Sequence, residues 1–149
     1  MTKQTPPWWQ SAIGYQIYPR SFQDTNHDGI GDLQGIIKRL PYLKWLGIDF
    51  IWLNPIYTSP NVDNGYDIAD FQNIAPEYGT LSDFKMLIAA AHKLDIRVIM
   101  DLVVNHTSNQ HAWFKAAKTS RTNHYHDFYI WQPNHHHQPP NNWTNFTGD

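Results

Sequence analysis

The chain has 149 residues, of which 41% are apolar, 15% aromatic and 16% charged, and its 11 Lys and Arg against 13 Asp and Glu leave a net charge of -2. The length suits one average domain, the near-neutral charge offers no field for gathering nucleic acid, and the lack of cysteine excludes a disulfide framework or a thiolate metal site. Nothing approaches the roughly 18 consecutive apolar residues of a membrane span. The opening MTKQTPPWWQ has one Lys and no apolar stretch, so no secretory signal is visible and a soluble, cytoplasmic protein without nucleic-acid or membrane partners is expected.

In chain order, the apolar run from Ala12 to Tyr18 reads as a strand stopped by Pro19, which cannot continue a central strand. A polar, Gly-rich stretch covers residues 24–32. Leu33, Ile36, Ile37, Leu40, Leu43 and Leu46 then recur with helical spacing; Pro41 should kink or split that helix, and Gly47 is placed to end it. Phe50, Ile51, Trp52 and Leu53 form a compact strand ended by Asn54 and Pro55. Residues 56–79 read as a loop too long for an ordinary connector. Leu81, Phe84, Leu87, Ile88 and Ala91 predict a helix, with Thr80 or Ser82 as its cap. Residues 97–104 read as a third buried strand interrupted by Asp101. Beyond Asn105 only residues 113–118 show a helical period. The order strand, helix, strand, helix, strand, with strands apolar throughout, predicts an α/β fold with a parallel sheet covered on both faces. In such folds functional loops follow the C-terminal ends of strands.

The polar residues sit at those ends. Asp24, Asn26, Asp28 and Asp32 place an oxygen ligand at every second or fourth position around Gly29 and Gly31, as a hard cation such as Ca²⁺ requires. The stretch begins like an EF-hand loop, but its twelfth position is Gly35 where a bidentate Glu belongs. An Asx-rich surface turn is the alternative. Asn64, Gly65, Tyr66 and Asp67 offer a stacking ring beside a carboxylate able to accept hydrogen bonds from sugar hydroxyls; the same residues also suit a plain turn around a buried Tyr. Asp101 falls in an apolar strand, so it needs a partner. Asn105 and His106 emerge just after it, as a site pair or as surface residues. The run His135, His136, His137 reads as a solvated loop more readily than as a metal tract. Trp143 and Phe146 could line an opening or belong to a core that these residues only begin.

Together these segments resemble glycoside hydrolase family 13, the α-amylase family, and within it the oligo-1,6-glucosidase, α-glucosidase and dextran-glucosidase branch. The likeness runs through Trp8 and Trp9, residues 15–22, the 24–32 loop, residues 47–53, residues 63–68, residues 78–80, residues 100–107 and residues 128–131. It implies the N-terminal part of a (β/α)₈ TIM barrel, about three strands over residues 1–106, then the start of a small domain inserted after the third strand over residues 107–149. By that resemblance Asp67 and His106 bind the glucose ring at the cleavage subsite, Tyr66 stacks on it, Asn105 shapes the site and Asp101 supports the strand end. Asp24, Asn26, Asp28, the Ile30 carbonyl and Asp32 would hold a Ca²⁺ or Mg²⁺ ion. The implied activity is retaining hydrolysis of α-1,6 or α-1,4 glucosidic bonds in short oligosaccharides with a non-reducing α-glucose. The implied nucleophile and general acid lie beyond Asp149, so the 149 residues alone are expected to be an inactive N-terminal fragment. Glu77 is the one glutamate, and it matches no family catalytic position. Rival readings are a trehalose-6-phosphate hydrolase of the same branch, a transporter heavy chain sharing the barrel, and a small calcium-binding protein.

Overall fold

The computed structural model describes residues 6–132 and 141–142; His135, His136, His137, Trp143 and Phe146 lie outside the described residues. In chain order the regular elements are β1 (Gly14–Ile17), α1 (Pro19–Phe22), α2 (Leu33–Trp45), β2 (Phe50–Leu53), β3 (Tyr57–Thr58), β4 (Asp70–Ile74), α3 (Leu81–Lys93), β5 (Arg97–Met100) and α4 (Ala112–Ala117), with 3-10 turns at Trp8–Gln10 and His126–Phe128. Two compact units emerge. One holds Met1–Ile56 and Asn73–Leu102, the other Tyr57–Gln72 and Val103–Asp149. The expected boundary at residue 107 therefore falls inside the second unit, which also takes in the segment after β2.

In the first unit β1, β2 and β5 form a parallel sheet in that order, with Tyr15, Ile51 and Val98 in one register row and Ile17, Leu53 and Met100 in another. These rows join Leu33, Ile36, Leu40 and Leu43 of α2 and Leu87 and Ala91 of α3 in one core. Each such Leu or Ile, taken fully out of water, contributes about 2 kcal/mol of transfer free energy. The alternate row does not join it. Gln16, Trp52 and Ile99 share a register, and Trp52 and Ile99 remain 38% and 39% exposed. The apolar strands suggested cover on both faces; among the described residues the helices cover one. The third strand is also shorter than expected. It ends at Met100, and Leu102 and Val104 are each 77% exposed.

The helix ends follow local chemistry. Asp32 N-caps α2, its carboxylate accepting the Gly35 N–H at 2.7 Å. At the other end Gly47, at φ +86°, turns the chain. Its N–H reaches the Lys44 carbonyl at 3.0 Å while the Ile48 N–H reaches Leu43 at 3.1 Å, the paired closure of a Schellman motif. Pro41 does not split α2. It sits on the exposed side, where water can take the Ile37 carbonyl that proline leaves without a donor. Thr80 caps α3 in a reciprocal box with Asp83: the Asp83 N–H donates to the Thr80 hydroxyl at 3.2 Å and the Thr80 N–H to the Asp83 carboxylate at 2.7 Å. The Thr80 hydroxyl, then the Gln34 amide at 2.7 Å, hold the Asp83 carboxyl below its usual range. Through Gln34 that cap ties α3 to α2.

In the second unit the expected long loop contains a two-stranded sheet, β3 with β4. An aromatic cluster stands in for a larger core. The Phe114 ring meets Tyr129 edge-on at 5.1 Å and stacks on Trp131 at 5.8 Å, and Trp113 stacks on Tyr125 at 5.8 Å. Buried His111 N-caps α4, its Nδ1 accepting the Trp113 N–H at 3.1 Å. Burial holds this imidazole below its ordinary 6.5, with Asp70 pulling the other way. The unfolded chain therefore binds the proton more readily, so the His111 contribution is present above pH 6.5 and is lost as the pH falls from there toward the lowered folded value. Thermal melts across that interval should show the midpoint falling. His111→Asn, which keeps a capping acceptor but does not titrate, should flatten that fall.

Candidate functional site

The segment between β3 and β4 is bent by three left-handed residues, Asn61 at φ +58°, Asn64 at φ +52° and Gly65 at φ +93°. Asn tolerates this region and Gly favours it. The bend is held from inside. Asp67 accepts the Ser59 hydroxyl at 2.9 Å and the Asp63 N–H at 3.0 Å on one oxygen, and the Val62 N–H at 3.1 Å on the other. The carboxylate expected to meet sugar hydroxyls thus accepts three bonds from its own loop. Within this turn, the carboxylate that accepts no protein hydrogen bond among the described residues is that of half-buried Asp63, three residues before Tyr66. The sequence singled out the Tyr66 and Asp67 pair and passed over Asp63. The available signal was that an acid standing between two left-turning Asn positions, Asn61 and Asn64, projects from a turn instead of closing it.

His106 is exposed and lies against the same loop. Its Nε2 is 3.0 Å from the Tyr66 carbonyl, and its Nδ1 is 2.6 Å from the Asn105 amide nitrogen. A carbonyl can only accept, so Nε2 carries the proton and Nδ1 accepts from Asn105. Two residues on, the Ser108 N–H donates to the Ile68 carbonyl at 2.9 Å, with Ser108 and Ile68 both buried. The segments 66–68 and 106–108 are therefore laced side by side. Thr107 adds a bond to the Tyr129 hydroxyl at 2.9 Å, which anchors the strip in the aromatic cluster. Tyr66, Asp67, Asn105 and His106, the four expected binding residues, belong to this one unit.

Asp101 follows directly on β5 and is part-exposed, not buried as its apolar neighbours suggested. It does have the partner that was required: the Trp52 indole N–H donates to it at 2.7 Å. Its own N–H continues the sheet by donating to the Leu53 carbonyl at 3.2 Å. Gln16 and Asn54, at the ends of β1 and β2, are joined by a 2.9 Å bond.

In the 24–32 loop the oxygens meet backbone N–H groups. Asp24 accepts from Gly29 at 2.9 Å, His27 at 2.7 Å and Asn26 at 3.0 Å. These bonds, Gly29 first, hold its carboxyl below the usual range. Asp28 accepts from the Ile30 N–H at 2.8 Å and the Asn26 amide at 2.9 Å. Asp32 receives the Thr25 N–H and hydroxyl, each at 2.8 Å, besides capping α2. Among the described residues no three acidic or His side chains gather as a metal cluster. The donor chemistry nonetheless fits a hard cation, because a carboxylate has about four acceptor positions and none of the three has all of them used.

A three-stranded parallel sheet backed by two helices, with its polar residues strung after the strand ends, is the pattern with which a (β/α)₈ barrel opens. The profile of the α-amylase catalytic domain matches residues 16–149, and the chain belongs to that family, glycoside hydrolase family 13. It is 62% identical over 93% of its length to an α-glucosidase of Pediococcus pentosaceus. It is 57% identical over 95% of its length both to an oligo-1,6-glucosidase of Halalkalibacterium halodurans and to a trehalose-6-phosphate hydrolase of Bacillus subtilis. An isomaltulose synthase variant of Erwinia rhapontici NX5, solved with D-glucose, superposes with a TM-score of 0.90 at 55% identity, over 95% of this chain and 25% of that one. The chain spans 25% of the length of each of these three curated relatives. No helix among the described residues is long and apolar enough to cross a membrane.

Proposed function

We propose that this chain supplies the non-reducing glucose subsite of a retaining α-glucosidase that hydrolyses α-1,6 or α-1,4 bonds in short oligosaccharides. The observation that carries this reading is the clasp of His106 on the Tyr66 carbonyl at 3.0 Å. It brings an aromatic ring, an imidazole and the turn bearing Asp63 into one strip, the combination that grips a sugar through its apolar face and its hydroxyls. The chain's own part is binding and orientation: Tyr66 stacks, His106 and Asp63 take hydroxyls, Asp67 shapes the loop and Asn105 sets the imidazole. The attacking carboxylate and the proton donor, about 5–5.5 Å apart in retaining enzymes, are assigned to residues after Asp149. The second reading, a trehalose-6-phosphate hydrolase, is favoured by identity to the Bacillus subtilis relative equal to that of the oligo-1,6-glucosidase. Parallel assays on isomaltose, maltose and trehalose 6-phosphate decide between them. Turnover of the phosphorylated disaccharide alone would displace the first reading, and turnover of none would displace both.

We also propose that Asp24, Asn26, Asp28, the Ile30 carbonyl and Asp32 hold a structural Ca²⁺ or Mg²⁺ ion. A bound ion would neutralise three carboxylates held within nine residues and fix the approach to α2. Asp28→Ala should lower the thermal midpoint, and added Ca²⁺ should not restore it. Identical melts for wild type and variant, with and without chelator, would remove the ion from the account.

A further inference from the structure

The turn that carries Asp63 and Tyr66 contains three left-handed residues between Ser59 and Asp67. Such a turn persists only where its surroundings hold it. Ser59 is half-buried and does two things at once. Its hydroxyl accepts the Asn61 N–H at 2.9 Å, at the first left-handed residue, and its one proton lies between the Asp67 carboxylate and the Asp67 carbonyl, each at 2.9 Å. Asp67 in turn takes the N–H groups of Val62 and Asp63. The Ser59 hydroxyl therefore links the start of the turn to the residue that closes it. Without that link Asp67 keeps two backbone donors but loses the side-chain bond that sets its oxygen, and Asn61 loses an acceptor.

We propose that Ser59 is a positioning residue for substrate binding, acting through Asp67 to hold the turn that presents Asp63 and Tyr66. This rests on the reading of those two residues as sugar contacts. The role belongs to the hydroxyl, so Thr can fill it and Ala cannot.

The test compares Ser59→Ala and Ser59→Thr with wild type in the complete enzyme by two independent readouts. The first is amide hydrogen exchange at Asn61, Val62 and Asp63, which needs no substrate. The second is kcat and KM on a nitrophenyl α-glucoside. Ser59→Ala should speed exchange at these amides and lower kcat/KM by about tenfold, the size expected for one hydrogen bond to a charged group, mostly through KM. Ser59→Thr should stay near wild type in both, and the unfolding midpoint should barely move in either. Unchanged exchange in Ser59→Ala overturns the link itself. Faster exchange with unchanged kcat/KM overturns the positioning role, as does equal loss in the Thr and Ala variants or a parallel fall in midpoint. A wild type that turns over no α-glucoside fails the glucosidase reading, and the positioning role with it, while the exchange data still decide whether the hydroxyl holds the turn.

Discussion

His106→Ala should lower kcat/KM on α-glucosides by about 10²-fold or more, because hydrogen bonds to sugar hydroxyls strengthen in the transition state. The structure sharpens the reason. The imidazole is held by the Tyr66 carbonyl on one nitrogen and the Asn105 amide on the other. Alanine therefore removes both a hydroxyl partner and the clasp on the loop that carries Tyr66. Asn105 is exposed, so it is the partner a sugar hydroxyl can replace without disturbing the clasp. The side chain is itself exposed, and the unfolding midpoint should hardly change. Steady-state kinetics beside thermal melts check both halves. A loss below about threefold would give His106 a structural role instead, since a transition-state contact is worth more than that.

Gly35→Ala should cost about 3 kcal/mol or more, beyond the usual range for overpacking because the obstacle is backbone. A Cβ at Gly35 would stand 2.0 Å from the Gln23 carbonyl oxygen and 2.8 Å from its carbon. At Gly31 it would stand 2.1 Å from the Pro19 oxygen. The two glycines let the 24–32 loop return alongside α1, where Gly31 donates to Arg20 at 2.7 Å and Asp32 to Gln23 at 3.0 Å. Gly29 makes the contrast. Its φ of +86° strains any side chain, but nothing lies within 4 Å, so Gly29→Ala should cost only about 1 kcal/mol. Denaturant unfolding of the three proteins tests the order. A Gly35→Ala variant as stable as Gly29→Ala would mean the close approach to Gln23 is absent.

The 24–32 loop shows how far a sequence carries. Its alternating oxygens are legible as a set with cation chemistry. That Asp32 caps α2 is also local, since the residue stands one before Leu33 and three before Gly35. What spacing could not show is that each carboxylate meets N–H groups of its own turn, because the φ of +67° at His27 and of +86° at Gly29 comes from how the loop packs back on itself. Asp67 repeats the lesson. Tyr followed by Asp reads as a ring beside an acceptor, yet the acceptor is turned onto Ser59, Val62 and Asp63 once the chain bends at Asn61 and Asn64, and in this turn Asp63 is the acid whose carboxylate has no bond to another described residue.

By itself, then, the sequence determined whatever depends on near neighbours along the chain. Helical spacing set α2 and α3, Thr80 and Gly47 set their ends, the apolar run 50–53 set β2, and the strand-helix order set a parallel sheet. The family was legible too, because its motifs are contiguous. Tertiary structure alone decided where β5 stops, which face of the sheet stays open at Trp52 and Ile99, that residues 57–58 and 70–74 pair, and that His106 reaches Tyr66 across 40 positions of chain. The physical reason is one of range. Propensity, caps and periodicity act within a few residues, whereas burial and side-chain hydrogen bonds join groups that only the folded backbone brings within about 3 Å of each other.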